Sequence, residues 1–403
     1  MDNSRNRLRI NMISWLSYFF TGSLVTTLGL VLFPVSQAFG RTPAFIGQMF
    51  TLMNIGLFLP ILVSGPLMRR FNLGCTLMVG SAVSAVTCAA LFMFSTSITA
   101  FGIGVFLIGG ASGIMMAIGS YLVVRINEDP KKRSANLILT DFFFALAGVI
   151  LSIILKQLFS HGASWLAMYG AMGVLSLLMI GLCIGVKFPS MPQAPSKAEA
   201  AAAAPQAPWG VAAWVLCFAL FCFLLAEPIF TMWLPSWLVE GLHLTQESAA
   251  DYIATYWTVK SIGLFVNQFT VRYMSLRTYL LVSTVVGLIC LSVAANSGDS
   301  GVIMICVGLF GFCNSGLFSG LMSYGSLQVR NSPPTLTSAL LTIGTVGTLV
   351  FASLSAWVQS KAGSHWALNT ATISYVVLLI SLIIACVTSK AEKLEREAKQ
   401  IAA

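Results

Sequence analysis

Three ionisable residues stand inside long apolar runs, and these are the places where the chain could do chemistry. Asp141 lies in LTDFFFALAG, Lys260 in YWTVKSIGLF, and Glu227 in LLAEPIF, immediately before Pro228. An ionised group at the centre of a membrane helix costs about 2.5–3.5 kcal/mol on insertion scales, so each needs a partner or a wet cavity. From helical rise, Asp141 falls roughly 10 Å and Lys260 roughly 15 Å from the same membrane face. Opposite charge at comparable depth allows an ion pair, either a contact that breaks between two conformations or a static aid to assembly, and a substrate or proton role for Asp141 stands beside these. Glu227 falls nearer the outer side, too far from Lys260 on this reckoning for a direct pair. Pro228 frees a backbone carbonyl. Glu227 therefore marks either a discontinuous, wet helix end suited to a solute or proton, or an early helix end facing water.

Neutral side chains widen the candidate set to Asn54, Tyr121, Trp257, Asn267, Asn314 and Tyr324. Amide, phenol and indole groups can hold hydroxylated solutes by hydrogen bonding and stacking, although each is also an ordinary packing residue. No phosphate-cradling loop, nucleophile elbow or carboxylate cluster accompanies them. The nine cysteines are scattered, mostly within apolar runs, without metal-ligand spacing, so no metal and no cofactor are expected. The chain does not look like an enzyme. The expected function is secondary active transport of a small solute by alternating access, with protons as a candidate coupling ion. The alternative is a non-transporting membrane sensor or scaffold that retains a transporter fold.

These residues need elements to position them. The 403 residues are 57% hydrophobic and 9% charged, with a mean hydropathy of +0.87. Soluble domains carry roughly 25% charged residues, so this is the composition of a membrane protein. Runs long enough to cross about 30 Å of hydrocarbon recur throughout, and lipid forces such runs to be helices. Twelve are expected, at about 12–36, 45–68, 74–96, 98–124, 134–158, 163–187, 209–236, 246–270, 275–296, 300–326, 335–359 and 366–388. The expected fold is an all-α membrane protein of two six-helix halves. Residues 1–187 form the N-terminal half and 209–388 the C-terminal half. A Pro/Ala-rich cytoplasmic linker covers 188–208 and a cytoplasmic tail, read as a short solvated helix, covers 389–403.

The net charge of +9 is explained by orientation rather than by nucleic acid. Of the 22 Lys and Arg, only Arg41, Lys156 and Lys361 fall in loops assigned to the outside, and Lys260 is inside a helix. The rest fall on one side, which sets both termini in the cytoplasm, with the bacterial inner membrane as the expected location and the lipid bilayer as the surroundings. A monomer is expected. A weak repeat at an offset of 203 supports duplicated halves: Ser112-Gly113-Ile114 recurs as Ser315-Gly316-Leu317, and Ser120-Tyr121 as Ser323-Tyr324. Glycines crowd the fourth and tenth runs, including Gly109 and Gly113, where small residues let helices approach closely.

Twelve spans, a central linker and a duplicated half resemble the major facilitator superfamily. Its loop signature G-x-x-x-D-R-x-G-R-[RK] is met here by Gly65 and Arg70, while Arg69, Asn72, Leu73 and Gly74 depart from it. The stretches SWLSYFFTGSLVTTLGLVLFPVSQAF, GGASGIMMAIGSYLV, LTDFFFALAGVI and LTSALLTIGTVGT are similar to the fucose permease-like branch, and within it to TsgA-type proteins. This likeness implies a solute path between the halves lined by helices 1, 2, 4, 5, 7, 8, 10 and 11. Proton-coupled fucose permeases use carboxylates in the first and fourth helices. Here Thr27, Leu28 and Gly29 occupy the first of those places and Met115 and Met116 the second, so neither fucose nor that coupling pair is implied.

Overall fold

The computed structural model describes residues 3–94, 97–126, 130–189, 209–329 and 334–389. The cytoplasmic linker and tail expected from the sequence lie almost wholly outside this set. Among the described residues the chain is helical, with no strand. Its elements are α1 (Asn3–Thr26), α2 (Leu28–Ala38), α3 (Pro43–Leu62), α4 (Ser64–Arg70), α5 (Leu73–Phe94), α6 (Ile98–Ile126), α7 (Pro130–Ser160) and α8 (Ala167–Cys183). There follow α9 (Val211–Leu242), α10 (Gln246–Tyr273), α11 (Leu276–Asn296), α12 (Ser300–Asn314), α13 (Leu317–Ser326), α14 (Pro334–Ala362) and α15 (Ser364–Thr388).

Each of the twelve expected runs is helical. Among the described residues, nine helical segments are long and apolar enough to cross a membrane, α12 and α13 counting together as one, and α1 with α2 adds a tenth, bent by 50°. The remaining two runs depart from the simple pattern for visible reasons. Seventeen residues make α8 roughly 25 Å long, short of about 30 Å of hydrocarbon. In α10 Glu247, Asp251, Lys260 and Arg272 interrupt the apolar sequence, so it needs protein or water on its polar face. Large apolar side chains such as Val86, Met93, Phe265 and Val387 are exposed, as hydrocarbon requires of a spanning helix.

Three expected runs are broken. At the α1–α2 bend, the Thr26 and Thr27 hydroxyls donate to the Gly22 and Ser23 carbonyls at 2.7 Å each. Such back-bonding competes with the helix ladder at the bend. Between α3 and α4, Pro66 has no N–H to continue the ladder toward Leu62. Between α12 and α13, the chain breaks at Ser315-Gly316. The earlier copy of this dipeptide, Ser112-Gly113, sits inside the unbroken α6, so the repeated sequence has two local structures.

The chain divides into two compact units. The first contains residues 1–194 and 231–258, the second 195–230 and 259–403, so the division passes through α9 and α10. In the first unit α6 packs closely on α3: a Cβ on Gly109 or Gly113 would run into the Met53 or Leu57 carbonyl. Here α1 packs on α6 and α7, and α5 on α8. In the second unit α11 packs on α12 and α15, and Gly347 of α14 lies against the α9 backbone at Phe221 and Leu225.

Candidate functional site

The second unit holds a buried charge pair. Lys260 Nζ on α10 donates to Glu227 Oε1 on α9, with the two side chains 13% and 12% exposed. This corrects the expectation that Glu227 and Lys260 lie too far apart to meet. The depth argument failed because it counted residues from helix ends placed too early: α9 continues through Pro228 and Pro235 to Leu242. The same continuity removes both earlier readings of Glu227, the discontinuous helix end and the early end facing water. Pro228 still deprives α9 of one ladder bond, and Gly347 brings α14 against the backbone on this turn.

Around the pair the second unit gathers polar groups in an aromatic setting. Tyr375 on α15 is fully buried and within electrostatic range of Glu227. Its hydroxyl donates to Asn314 Oδ1 at the end of α12. Phe310 lies between, its ring 5.3 Å from Tyr375 and 4.7 Å from Phe230. A carboxylate and an ammonium placed together with few water contacts supply each other's counter-charge. Protonating the carboxylate removes that compensation and frees the lysine for another acceptor. The arrangement can therefore exchange a proton for a change in hydrogen bonding.

The first unit holds Asp141 on a different polar surface. Its side chain is exposed on α7 and within electrostatic range of the Tyr18 hydroxyl on α1. Tyr18 Oη and Ser120 Oγ are 2.7 Å apart, and Ser112 Oγ donates to Thr21 Oγ1 at 2.8 Å, tying α6 to α1. Trp15 stacks on Phe143 at 5.3 Å, with planes 10° apart. A carboxylate beside a phenol, hydroxyls and stacked rings is chemistry that recognises a polar solute with a flat or hydroxylated face.

The first unit also contains an ion pair that sequence reasoning did not propose. Lys156 Nζ on α7 bonds both Asp251 carboxylate oxygens on α10, at 2.7 and 2.8 Å. Both residues stand near helix ends, 39% and 43% exposed. In the same unit α2 and α7 approach the 231–258 segment closely: Gly29 faces the Thr231 and Met232 backbone, and Gly148 faces the Trp257 ring.

The neutral candidates fall in separate places. Asn54 is buried on α3 and spends its amide on the Phe50 carbonyl of its own helix, at 3.0 Å. Trp257 is buried on α10 with its ring against Phe144, at a centroid distance of 6.1 Å. Asn267 donates to Ser315 Oγ at 2.7 Å, holding the α12–α13 break, and its buried Oδ1 has no partner among the described residues. Tyr121 is half-buried on α6 and Tyr324 buried on α13. Of these, Asn314 is the one that joins the group around Glu227. Tyr375 and Tyr18 were missed, and the available signal was a tyrosine in mid-run, since a buried phenol needs a hydrogen-bond partner.

Comparison with known proteins places this geometry in context. The sequence model of the Major Facilitator Superfamily matches residues 14–352. A protein described as a TsgA homolog from Serratia proteamaculans is 30% identical over 385 residues, covering 95% of this chain and 96% of its own. The TsgA homolog of Yersinia pestis is 28% identical over 378 residues, covering 94% and 95%. Among solved structures, the transporter FucP in an outward conformation superposes with a TM-score of 0.61 at 18% identity, covering 92% of this chain and 97% of that one. The E. coli fucose:proton symporter FucP gives a TM-score of 0.60 at 16% identity over the same shares.

Proposed function

This chain belongs to the Major Facilitator Superfamily and is a multi-pass secondary transporter, and we propose that the Glu227–Lys260 pair couples movement of a small polar solute to a proton. The observation that carries the proposal is a carboxylate and an ammonium paired away from bulk water on two adjacent spans. With Glu227 ionised, Lys260 is held. With Glu227 protonated, the ammonium loses its counter-charge and must find water, solute or a new acceptor, which favours a second conformation. Asn314 and Tyr375 sense this change through the buried phenol. The non-transporting sensor or scaffold is the disfavoured reading, because family membership points to transport.

Asp141, with Tyr18 and the stacked Trp15–Phe143 rings, is the proposed solute-facing surface. The Lys156–Asp251 pair is the proposed gate at the opposite end of α7 from its start at Pro130. It links two segments that the sequence assigns to different six-helix halves, 1–187 and 209–388, and alternating access requires those halves to part. The fucose:proton symporter shares the fold. Coupling here is proposed on Glu227 and not on that protein's residues, because the first and fourth spans of this chain lack acids. We further propose a monomer in a bacterial inner membrane with both termini cytoplasmic, working without cofactor, in keeping with the bias of Lys and Arg among the loops.

The experiment is solute uptake by proteoliposomes across a panel of small polar solutes, with and without an imposed proton gradient. Gradient-driven accumulation of at least one solute is expected from the wild type. E227Q is expected to retain solute exchange and lose accumulation. No flux for any solute would favour the sensor reading, and undiminished accumulation by E227Q would remove Glu227 from coupling.

A further inference from the structure

Where α1 meets the ends of α6 and α8, the first unit contains a cavity of about 330 Å³. Among the described residues, three cations and an amide line it: Arg7, Arg125, Lys187 and Asn6, over an apolar floor that includes Ile10 and Ile126. No carboxylate is among these lining residues. Neither of the ion pairs among the described residues involves any of the three cations.

Hydrogen bonds tie the walls of this cavity together. Asn6 Nδ2 donates to the Lys187 carbonyl at 3.0 Å, and the Lys187 N–H donates back to Asn6 Oδ1 at 3.0 Å. Arg7 Nη2 donates to the Ile126 carbonyl at 2.8 Å, at the last residue of α6. Next to it, Arg9 donates to the Leu182 and Ile184 carbonyls at 2.9 and 2.8 Å, at the end of α8. The first helix thus satisfies carbonyls that two spans leave open at their ends. Of the three cations Arg7 is held by its own side chain, while the bonds at Lys187 pass through its backbone. A guanidinium has five N–H donors, so Arg7 keeps donors free for a ligand.

Like charges gathered around one cavity attract an anion. A planar guanidinium matches phosphate oxygens bidentately, and a lysine adds a point charge. The cavity also opens where apolar spans end, the depth at which lipid headgroups lie, and basic pockets between helices at that depth accept anionic headgroups. We propose that this cavity binds a phosphate-type anion, supplied either by the phosphodiester headgroup of an anionic lipid or by free phosphate. The site is separate from Glu227, Lys260 and Asp141, and its proposal stands independently of the coupling mechanism.

The test is thermal unfolding of the full-length protein in a neutral detergent, with phosphatidylglycerol, phosphatidylcholine or inorganic phosphate added, and chloride matching the ionic strength. Phosphatidylglycerol or phosphate is expected to raise Tm by a few degrees, and phosphatidylcholine and chloride to leave it unchanged. R125Q/K187Q is expected to lose the rise. A rise from the lipid alone assigns the site to a headgroup, and an equal rise from phosphate assigns it to the free anion. If neither raises Tm, or the double variant shows the same rise, the proposal is overturned. Should the double variant not fold, native mass spectrometry of wild type and R125Q gives the second readout. Retention of phosphatidylglycerol no better than phosphatidylcholine by the wild type, or undiminished in R125Q, would overturn it equally.

Discussion

Single side chains carry the chemistry proposed here, and the pair at Glu227 and Lys260 carries most of it. Removing one partner of a buried pair leaves the other uncompensated, at a cost of about 3–5 kcal/mol for a fully buried pair. These side chains keep slight exposure, so the cost should fall toward the low end. K260M is expected to lower Tm by more than the double variant E227Q/K260M, which leaves no charge behind. Unfolding curves of the four proteins in one detergent would check this, and additive losses would mean that the two groups do not act as a pair. The Tyr375 hydroxyl makes a smaller claim. Y375F removes the donor to buried Asn314, and a net loss of about 1 kcal/mol is expected from one hydrogen bond. An unchanged Tm for Y375F would show that Asn314 finds another donor.

At the scale of helices, close approaches limit which substitutions transport can tolerate. A Cβ on Gly148 would lie 2.4–2.7 Å from Trp257 ring atoms, so alanine there must push the indole or α7 away. G148A is therefore expected to cut transport several-fold while expression and folding persist, measured as initial uptake in proteoliposomes. The same segment carries the Lys156–Asp251 pair, which is partly exposed and worth about 1 kcal/mol. Its proposed role is kinetic. Cysteines placed as K156C and D251C are expected to be bridged by a thiol cross-linker, with transport lost on bridging and restored on cleavage. Full transport by the bridged protein would dismiss the gate.

The helices were also the part most legible in the sequence. Run length and charged punctuation located all twelve segments, because hydrocarbon demands about the same thickness of every span. The breaks were less legible. The first run bends at Thr26-Thr27, whose hydroxyls bond its own carbonyls, and nothing in their spacing sets them apart from Ser14 and Ser17, which bond in the same way within an unbroken helix. The candidate site was half legible. An ionisable residue in an apolar run announces itself, and that found Glu227, Lys260 and Asp141. Which of them meet is set by helix rotation and true length, and the extension of α9 past Pro228 defeated the depth estimate. Lys156 and Asp251 escaped notice because each lies near a helix end, where a charge needs no explanation.

Across the whole molecule, membership of the Major Facilitator Superfamily makes this chain a secondary transporter, and the proposal is that the Glu227–Lys260 pair links its transport to a proton. Its most direct measurement uses proteoliposomes loaded with a pH-sensitive dye and supplied with the solute that the uptake panel identifies. Wild-type protein is predicted to acidify the lumen only when solute moves inward, while E227Q exchanges labelled solute at a comparable rate with no acidification. Solute-driven acidification by E227Q at the wild-type rate would contradict the account.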